Sequence, residues 1–229
     1  MNELDELIGL IKQKDELRNI SNEVVKDEVI KHLKGINKKF LSSKEKRIIM
    51  KEVRADLRRL TGRFKVKNRT KDSNYETLLR EHASTRERID YYSLIKKRIS
   101  SLNVSSILDI GCGLNPLAIA ESKYRYYALD VMEDDLEIVD RFFKERKIRG
   151  ETTSYDLRKI SNNLPKVDIC LIMKVFDVLE NKGHKLAEKI LTSINSDYFL
   201  VSFSTKTLSG KPMNHPQRGW IERLFSRLG

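Results

Sequence analysis

Residues 106–116 read SILDIGCGLNP and carry the strongest structural signal in the chain. An apolar strand leads into the turn Gly111–Gly113, and Asn115-Pro116 then favours the start of a helix. Glycines at such a turn let the backbone approach a ligand at the carboxyl end of a parallel strand. Asp109 precedes the first glycine by two residues, and Asn115-Pro116 replaces the third glycine of a pyrophosphate cradle. The pattern favours a cofactor with no phosphate to bind; the alternative is a tight turn that binds nothing.

Strands and helices alternate around this turn. Helical segments separate short apolar runs, which is typical of a mostly parallel sheet with helices on both faces. We therefore predict an α/β fold, a Rossmann-like doubly wound sheet, over residues 75–229. A helical stretch before the sheet is broken at residues 82–85, where Ser84 or Thr85 is expected to cap a new helix. The predicted strands are Ser106–Ile110, Arg125–Leu129, Glu151–Ser154, Asp168–Met173 and Tyr198–Phe203.

Residues 1–74 are predicted to form a separate α-helical domain. Apolar residues recur there at helical spacing in three segments. Gly35 and Gly62 are expected to end the second and third helices, and residues 63–74 show no period and predict a basic linker. The third helix is expected to begin at Ser42-Ser43 and to place on one apolar face Ile48, Ile49, Val53, Leu57 and Leu60.

The positive charge of the chain is concentrated in this helical domain. The 229 residues carry a formal net charge of +12, and residues 38–71 hold fourteen basic and three acidic residues. A solvated helix usually mixes both signs, so clustering of one sign indicates a surface that faces a polyanion. The cations predicted to contact phosphates are Lys38, Lys39, Lys44, Lys46, Arg47, Lys51, Arg54, Arg58, Arg59, Arg63, Lys65, Lys67 and Arg69.

The composition excludes several classes of protein. Hydrophobic residues make up 39% of the chain, beside 10 Gly and 4 Pro, which excludes collagen-like and wholly disordered chains. No run approaches the roughly 18 apolar residues of a membrane span, and the N-terminus lacks the apolar core of a signal peptide. Cys112 and Cys170 lie in apolar runs, so we expect buried thiols without a disulfide. We expect a soluble, cytoplasmic monomer with no membrane partner and no metal.

Acidic residues follow two further predicted strands. Asp130 follows the second strand, at the spacing from the glycines where a carboxylate accepts both hydroxyls of a ribose. Asp156 follows the third strand and is expected to accept from an adenine amino group, with Leu157 covering the ring. Each of these acids alone also fits a turn residue or a helix N-cap. Together with Asp109 and the glycine turn, they predict an S-adenosylmethionine site.

Longer segments of the chain resemble a known family. The sequence is similar to class I S-adenosylmethionine-dependent methyltransferases, and more specifically to the 16S ribosomal RNA guanine-N7 methyltransferases of aminoglycoside resistance. The resemblance runs from about Tyr75 to Trp220 and is most specific in the His-Ala-Ser-Thr-x-Glu-Arg and Leu-Ser-Gly segments. The matching segments are His82–Arg88, Leu108–Pro116, Leu171–Lys174 with Val178–Glu180, and Val201–Gly210.

This resemblance implies an S-adenosylmethionine-dependent enzyme that acts on 16S-type rRNA or the 30S subunit, with residues 1–74 as an RNA-docking domain. It implies that Arg88 contacts the carboxylate of the methionine moiety and that Lys174 positions the substrate, without a catalytic residue. Both side chains also fit ordinary surface charges. Phe176, Phe203 and Trp220 are candidate stacking platforms for a flipped base, although each also fits a core. The residues expected to bind the cofactor are His82, Ala83, Ser84, Arg88, Asp109, Gly111, Gly113, Asp130, Asp156, Leu157 and Met173.

The residues at the end of the fourth predicted strand limit the kinds of methyl transfer that the chain can catalyse. Residues 173–176 read MKVF, in place of the Asn/Asp-Pro-Pro-Tyr/Phe turn that holds an exocyclic amine. Methylation of cytosine C5 needs a nucleophilic cysteine at this place. Cys170 lies inside the apolar strand, where no neighbour activates its thiol. Guanine N7 carries its own lone pair, so an enzyme needs only to position it. The alternatives are methylation of transfer RNA or of another ribosomal position, and a non-catalytic RNA-binding or ribosome-assembly protein.

Overall fold

A computed structural model of the protein describes residues 3–34, 36, 41–61, 74–161, 163–179, 183–205, 211–213 and 217–229. The strands in this part of the chain are β1 (Ser106–Ile110), β2 (Arg125–Asp130), β3 (Arg149–Ser154), β4 (Val167–Met173) and β5 (Ser196–Ser202). The α-helices there are α1 (Glu3–Lys12), α2 (Asn22–Leu33), α3 (Ser43–Thr61), α4 (Tyr75–Glu81), α5 (Ala83–Arg86), α6 (Tyr92–Ser101), α7 (Pro116–Ile119), α8 (Glu133–Glu145), α9 (Val175–Leu179), α10 (Lys185–Ser193) and α11 (Gly219–Leu228). Short 3₁₀ helices cover Asp15–Leu17, Ile89–Tyr91 and Leu157–Lys159.

The five strands form one parallel sheet in the order β3-β2-β1-β4-β5. The predicted α/β fold is confirmed, and the predicted strand ends differ from the observed ones by no more than two residues. The order of the strands changes direction between β1 and β4, because β2 and β3 lie on one side of β1 and β4 and β5 lie on the other. Open α/β sheets bind ligands at such a reversal, in the crevice outside the carboxyl ends of the strands.

Both faces of the sheet are covered, because the connections between parallel strands cross over as helices. Ile107 of β1 packs in the core on the face of α4, α6, α7 and α8. Its neighbour Leu108 packs in the core on the opposite face, with α9, α10 and α11. Both side chains are fully buried. The alternation holds β1, and the glycine turn that follows it, at the centre of the molecule.

The helices α1, α2 and α3 build a third core, which also receives Val131 and Met132 from the segment after β2. We call residues 3–61 the helical unit and residues 74–229 the sheet unit, within their described residues. Backbone hydrogen bonds join the two units: Ser21 N donates to Val131 O over 3.0 Å, and Glu133 N donates to Asn19 O over 2.8 Å. The helical unit is therefore attached directly beyond the carboxyl end of β2.

Helix α3 begins with the predicted cap. Ser42 Oγ accepts from Glu45 N at 3.3 Å, and Glu45 Oε2 accepts from Ser42 N at 2.9 Å, which together make a capping box. One expectation for this helix was wrong: Ile48 is 49% exposed and does not belong to the apolar face. Gly35, Gly62 and nearly all of the predicted linker 63–74 lie outside the described residues.

The break before the sheet also differs from the prediction. Helix α4 ends at Glu81, and His82, rather than Ser84 or Thr85, occupies the N-cap position of α5. The His82 side chain makes no capping hydrogen bond. Thr85 Oγ1 lies inside the helix and donates to Leu79 O at 2.6 Å. The hydroxyl therefore ties the two short helices together.

Two further expectations concern the whole chain. Cys112 and Cys170 are both free and buried, and burial raises the pKa of both thiols well above the ordinary value. Among the helices described here, none is both long and apolar enough to cross a lipid bilayer.

Candidate active site

The turn after β1 brings backbone close to two side chains. Gly111 and Gly113 both have positive φ, +61° and +48°, which favours glycine. A Cβ on Gly111 would lie 2.8 Å from Val175 Cγ2, and one on Gly113 would lie 3.1 Å from His82 Cε1. The two glycines therefore meet both a conformational and a steric requirement.

A cavity of about 450 Å³ opens at this turn, at the carboxyl ends of β1, β2 and β4. Three residues that were expected to bind the cofactor, Arg88, Asp109 and Asp156, are not among those that line it, and the side chain of a fourth, Ala83, is outside the described part of the chain. The residues predicted to bind the cofactor or to position the substrate that do line it are His82, Ser84, Gly111, Gly113, Asp130, Leu157, Met173 and Lys174. The structure thus brings segments from five separate parts of the sequence to one place.

Asp130 ends β2 and holds the turn in place. Its Oδ2 accepts from Gly113 N at 2.8 Å, and its Oδ1 accepts from Val131 N at 2.7 Å and Met132 N at 3.0 Å. Burial, together with the nearby charge of Asp135, raises the pKa of Asp130 to about 6, against the opposing effect of the three N–H donors. Each carboxylate oxygen has two lone pairs, so Oδ2, which accepts one of these hydrogen bonds, keeps one lone pair for a ligand in the cavity.

Arg88 lies in a buried polar network next to the cavity. Its side chain is held by Nη2, which donates to Ser84 Oγ and to Asn115 Oδ1, each at 2.8 Å. Tyr92 Oη donates to the same Asn115 oxygen at 2.8 Å. Arg88 is 6% exposed, and its Nε and Nη1 have no hydrogen-bond partner among the described residues. Buried, unpaired N–H donors on a guanidinium are costly, and a carboxylate is the ligand that matches their geometry.

Asp109 is fully buried at the end of β1. Its Oδ2 accepts from Tyr126 Oη at 2.8 Å. Burial raises the pKa of Asp109 to about 7, although this hydrogen bond and the charge of Arg88 lower it. The network therefore contains one fixed positive charge and one carboxyl group that titrates near neutral pH.

His82 and Asp135 face each other across the cavity wall. Both are buried, and His82 Nε2 lies 3.7 Å from Asp135 Oδ2, beyond hydrogen-bond distance. His82 also sets the space at Gly113. This packing against the glycine turn gives His82 a structural role.

Asp156 accepts several hydrogen bonds from Arg158. Its side chain caps the 3₁₀ helix Leu157–Lys159 by accepting from Arg158 N at 2.9 Å. Its oxygens also accept from Arg158 Nε at 3.0 Å and from Arg158 Nη2 at 2.7 Å. This is the N-cap alternative for Asp156. The residues on either side, Tyr155 and Leu157, both line the cavity.

Lys174 follows β4 with φ at +62°, a rare conformation for a residue other than glycine. Its side chain is 12% exposed, lines the cavity, and forms an ion pair with Glu87. Glu87 lies directly after α5, so this pair connects the segment at residues 82–88 with the end of β4. The cation is therefore fixed at the rim of the cavity.

The three candidate stacking residues pack against one another and do not line the cavity. The ring of Trp220 lies 5.9 Å from that of Phe176 and 5.7 Å from that of Phe203, measured between centroids. Trp220 also stacks on His184, with centroids 3.9 Å apart and planes within 1° of parallel. These contacts correspond to the core alternative, and the sequence did not indicate the partner His184.

The basic residues of α3 fall into two groups. Lys44, Arg47 and Lys51 are exposed, and none has an ion-pair partner among the described residues. The others have partners within the helical unit. Lys46 forms ion pairs with Glu3 and Glu6, Arg58 with Glu16, and Arg59 with Asp56, while Arg54 donates to Leu10 O. Outside the described residues lie Lys38, Lys39, Arg63, Lys65, Lys67 and Arg69.

The helical unit also contributes to the cavity, which the sequence did not indicate. Glu16, Arg58, Leu60 and Thr61 line it. Arg58 donates from Nε and Nη2 to Glu16 Oε1, at 3.0 and 2.8 Å. Arg58 was expected to contact phosphates, and its position beside the cavity separates it from Lys44, Arg47 and Lys51. A local pattern carries no signal for a contact made by residues so far apart.

The sequence matches the ribosomal RNA methyltransferase (FmrO) family over residues 24–229. A 16S rRNA (guanine(1405)-N(7))-methyltransferase of Frankia casuarinae is 29% identical over 140 residues, which cover 57% of this chain and 48% of that protein. The enzyme of the same name from Serratia marcescens is 30% identical over 147 residues, which cover 62% of this chain and 57% of that protein. This chain spans about half the length of the curated relatives it matches.

Solved structures share the fold. The 16S rRNA methyltransferase RmtF, in complex with S-adenosyl-L-homocysteine, has a TM-score of 0.76 at 22% identity, covering 98% of this chain and 90% of that chain. The 16S rRNA methylase ArmA has a TM-score of 0.55 at 26% identity, covering 67% and 81%. Because the family match extends over most of its length, this chain belongs to the ribosomal RNA methyltransferase (FmrO) family.

Proposed function

We propose that this protein uses S-adenosylmethionine to methylate N7 of a guanine in the decoding region of small-subunit ribosomal RNA. The observation that carries the proposal is the cavity at the sheet reversal, bounded by Gly111, Gly113 and Asp130 beside the unpaired donors of Arg88. The family match and relatives that bear this activity in their names support the choice of RNA. The cytoplasm, where ribosomes work, is the proposed location.

The described residues fit this cofactor in each of its parts. The two free N–H groups of Arg88 suit the carboxylate of the methionine moiety, with Ser84 beside it. Asp130 is the proposed acceptor for the ribose hydroxyls, and the glycine turn that it holds lines the same cavity. We assign the adenine ring to the wall at Leu157, with Asp156 as the acceptor for its amino group.

The proposed reaction requires the protein to position the guanine and does not require it to transfer a proton. The cofactor supplies a methyl group on a positively charged sulfur. Guanine N7 donates its lone pair to that carbon while the carbon–sulfur electron pair stays on sulfur, so no proton has to leave the base. Lys174, fixed by Glu87 at the rim, would orient the guanine or its phosphate in line with the methyl group. The buried thiols of Cys112 and Cys170 have raised pKa values and are poor nucleophiles.

The proposed RNA contact surface is the free face of α3, made of Lys44, Arg47, Ile48 and Lys51. The three cations lie at spacings of three and four residues, so they share one side of the helix. Because other described residues do not neutralise them, they are available for phosphates. Ile48, 49% exposed between them, adds an apolar contact for a sugar or a base.

The experiment that tests the function uses the purified chain with S-adenosylmethionine labelled in its methyl group. The label should transfer to 30S subunits, and a variant with Asp130→Ala should transfer much less. Transfer to tRNA, or to another ribosomal position, would support the alternative targets. Binding of 30S subunits without any transfer would favour the non-catalytic alternative and contradict the proposal.

A further inference from the structure

We propose that Arg158 is a positioning residue that holds the Asp156 carboxylate toward the adenine and anchors it to the helical unit through Glu28. The inference rests on the proposed function, because it assumes that an adenosine occupies the cavity. Arg158 itself does not line the cavity. It would act on the ligand only through Asp156.

The geometry gives Arg158 two carboxylates at once. Three of its nitrogens, the backbone N, Nε and Nη2, donate to Asp156 at 2.9, 3.0 and 2.7 Å. The remaining Nη1 donates to Glu28 Oε2 at 2.6 Å. A planar guanidinium is suited to this arrangement, because its fork grips one carboxylate while its other edge reaches a second.

Glu28 makes the arrangement stiff. It belongs to α2, it is 1% exposed, and a buried carboxylate without a partner is strongly unfavourable. Its other oxygen accepts from Lys31 Nζ at 2.6 Å, within the same helix. Arg158 is therefore the cation from the sheet unit that compensates Glu28. The need to pair Glu28 fixes the guanidinium, and the guanidinium fixes Asp156.

The position of Asp156 makes this fixation useful. Tyr155 and Leu157, on either side of Asp156, both line the cavity, so the backbone at Asp156 runs along the wall proposed to hold the adenine. An Asp156 that rotated freely would lose entropy on accepting from the adenine amino group. With Arg158 in place, the acceptor is already oriented before the cofactor arrives.

The test compares two ligands by calorimetry: S-adenosylhomocysteine, and S-inosylhomocysteine, which carries a carbonyl in place of the adenine amino group. Arg158→Met keeps an apolar stem and removes the guanidinium. We expect it to weaken binding of S-adenosylhomocysteine about tenfold and that of the inosine analogue less than twofold. Glu28→Gln, which retains an acceptor for Nη1 but loses the charge, should give a smaller loss with the same preference.

Lys159→Met is the matched control. The Lys159 side chain forms an ion pair with Asp27 of α2, so it joins the same two elements, and only the Lys159 backbone N contacts Asp156, by donating to its carbonyl O at 2.9 Å. This variant should bind both ligands as the parent chain does. Melting temperatures without ligand report on folding, and Glu28→Gln carries the test if Arg158→Met does not fold.

Three results would overturn the inference. Equal losses for both ligands in Arg158→Met would show a general structural role. Unchanged binding of S-adenosylhomocysteine would show no role, and a loss in Lys159→Met as large as in Arg158→Met would assign the effect to the contact between the units. A parent chain that binds neither ligand would instead contradict the proposed function.

Discussion

Asp130 shows how one side chain serves both the fold and the site. Its carboxylate accepts from three backbone N–H groups and so fixes the glycine turn and the segment that leads to the helical unit. The same group lines the cavity. A ribose acceptor placed in this way is rigid before the ligand binds, which lowers the entropic cost of binding.

Replacing Asp130 should therefore weaken cofactor binding directly. Asp130→Ala removes the acceptor for the ribose hydroxyls, and we expect a loss of about 1–3 kcal/mol in binding S-adenosylhomocysteine by calorimetry. Asp140→Ala is the control, because Asp140 lies on α8 and pairs with exposed Lys144. Equal affinity in the Asp130 variant and the parent would exclude the ribose assignment.

Asp109 should make the stability of the ligand-free chain depend on pH. Because burial raises its pKa from 3.8 to about 7, the folded chain keeps a proton that the unfolded chain releases between these values. The free energy of unfolding therefore falls as pH rises through this window. Asp109→Asn removes this titration. In urea denaturation, the variant should gain stability relative to the parent from about pH 5 to pH 7, while Asp140→Asn should not; a difference that is constant with pH would contradict the assignment.

Sequence reasoning reached the glycines and Asp130 because each follows a strand at a diagnostic spacing. It did not reach Glu16 or Arg58, which line the cavity from the helical unit. It also assigned Asp156 by position, whereas its contact with Arg158 is visible only in the structure. Spacing along one segment is informative about that segment, and contacts between distant segments need the fold.

At the scale of elements, α3 combines two surfaces. Its first turns carry the free cations Lys44, Arg47 and Lys51, and its last turn reaches the cavity through Leu60 and Thr61. The apolar face between them, with Ile49, Val53 and Leu57, packs in the third core. The helix therefore connects the proposed RNA surface with the proposed cofactor site.

Reversing the three free charges should separate RNA affinity from cofactor affinity. The triple variant Lys44→Glu, Arg47→Glu and Lys51→Glu should bind 30S subunits much more weakly. If all three cations contact phosphates, the slope of log binding constant against log salt concentration should be shallower by about 2–3. Its affinity for S-adenosylhomocysteine should match that of the parent. Arg58 is unsuitable for this test because it lines the cavity.

The control for that variant carries the same change in charge elsewhere. Lys144→Glu, Arg146→Glu and Arg149→Glu alter exposed residues around the start of β3, at the opposite edge of the sheet from the cavity. These changes should leave most of the RNA affinity in place. If both triple variants lose RNA binding equally, net charge rather than the face of α3 controls docking.

The elements themselves were largely predictable. Strands buried on both faces give continuous apolar runs, and helices between them alternate at a helical period. The errors concern local detail: Ile48 is exposed, and α5 begins after His82. Helical periodicity does not place residues at the border of a helix face accurately, which accounts for the error at Ile48. The hydroxyl of Thr85 donates to Leu79 O in α4, a contact that rules for helix caps do not consider.

In the whole molecule, the proposed cofactor site lies between two units that are joined by backbone hydrogen bonds and by the Glu28–Arg158 ion pair. The sequence predicted two domains with separate tasks, one for RNA and one for the cofactor. The helical unit also contributes residues to the lining of the cavity that is proposed to hold the cofactor. Composition and charge distinguish the units, but they carry no information about how the units meet.

The proposed chemistry predicts a rate that changes little with pH. Since guanine N7 needs no deprotonation, the single-turnover rate with saturating cofactor should stay nearly constant from about pH 6.5 to 9. The parent chain and 30S subunits are the reagents, and methyl transfer is followed by filter binding. A rate that rises about tenfold per pH unit over this range would indicate that a nucleophile must ionise.

The position of the transferred methyl group decides whether guanine N7 in the decoding region is the target. After reaction of the parent chain with 30S subunits, the 16S rRNA is treated with borohydride and aniline, which cleave at 7-methylguanine because methylation makes the base cationic and labile. We predict one new cleavage, at a guanine in the decoding region. A methyl group on an exocyclic amine, a cytosine carbon or a ribose oxygen would contradict it.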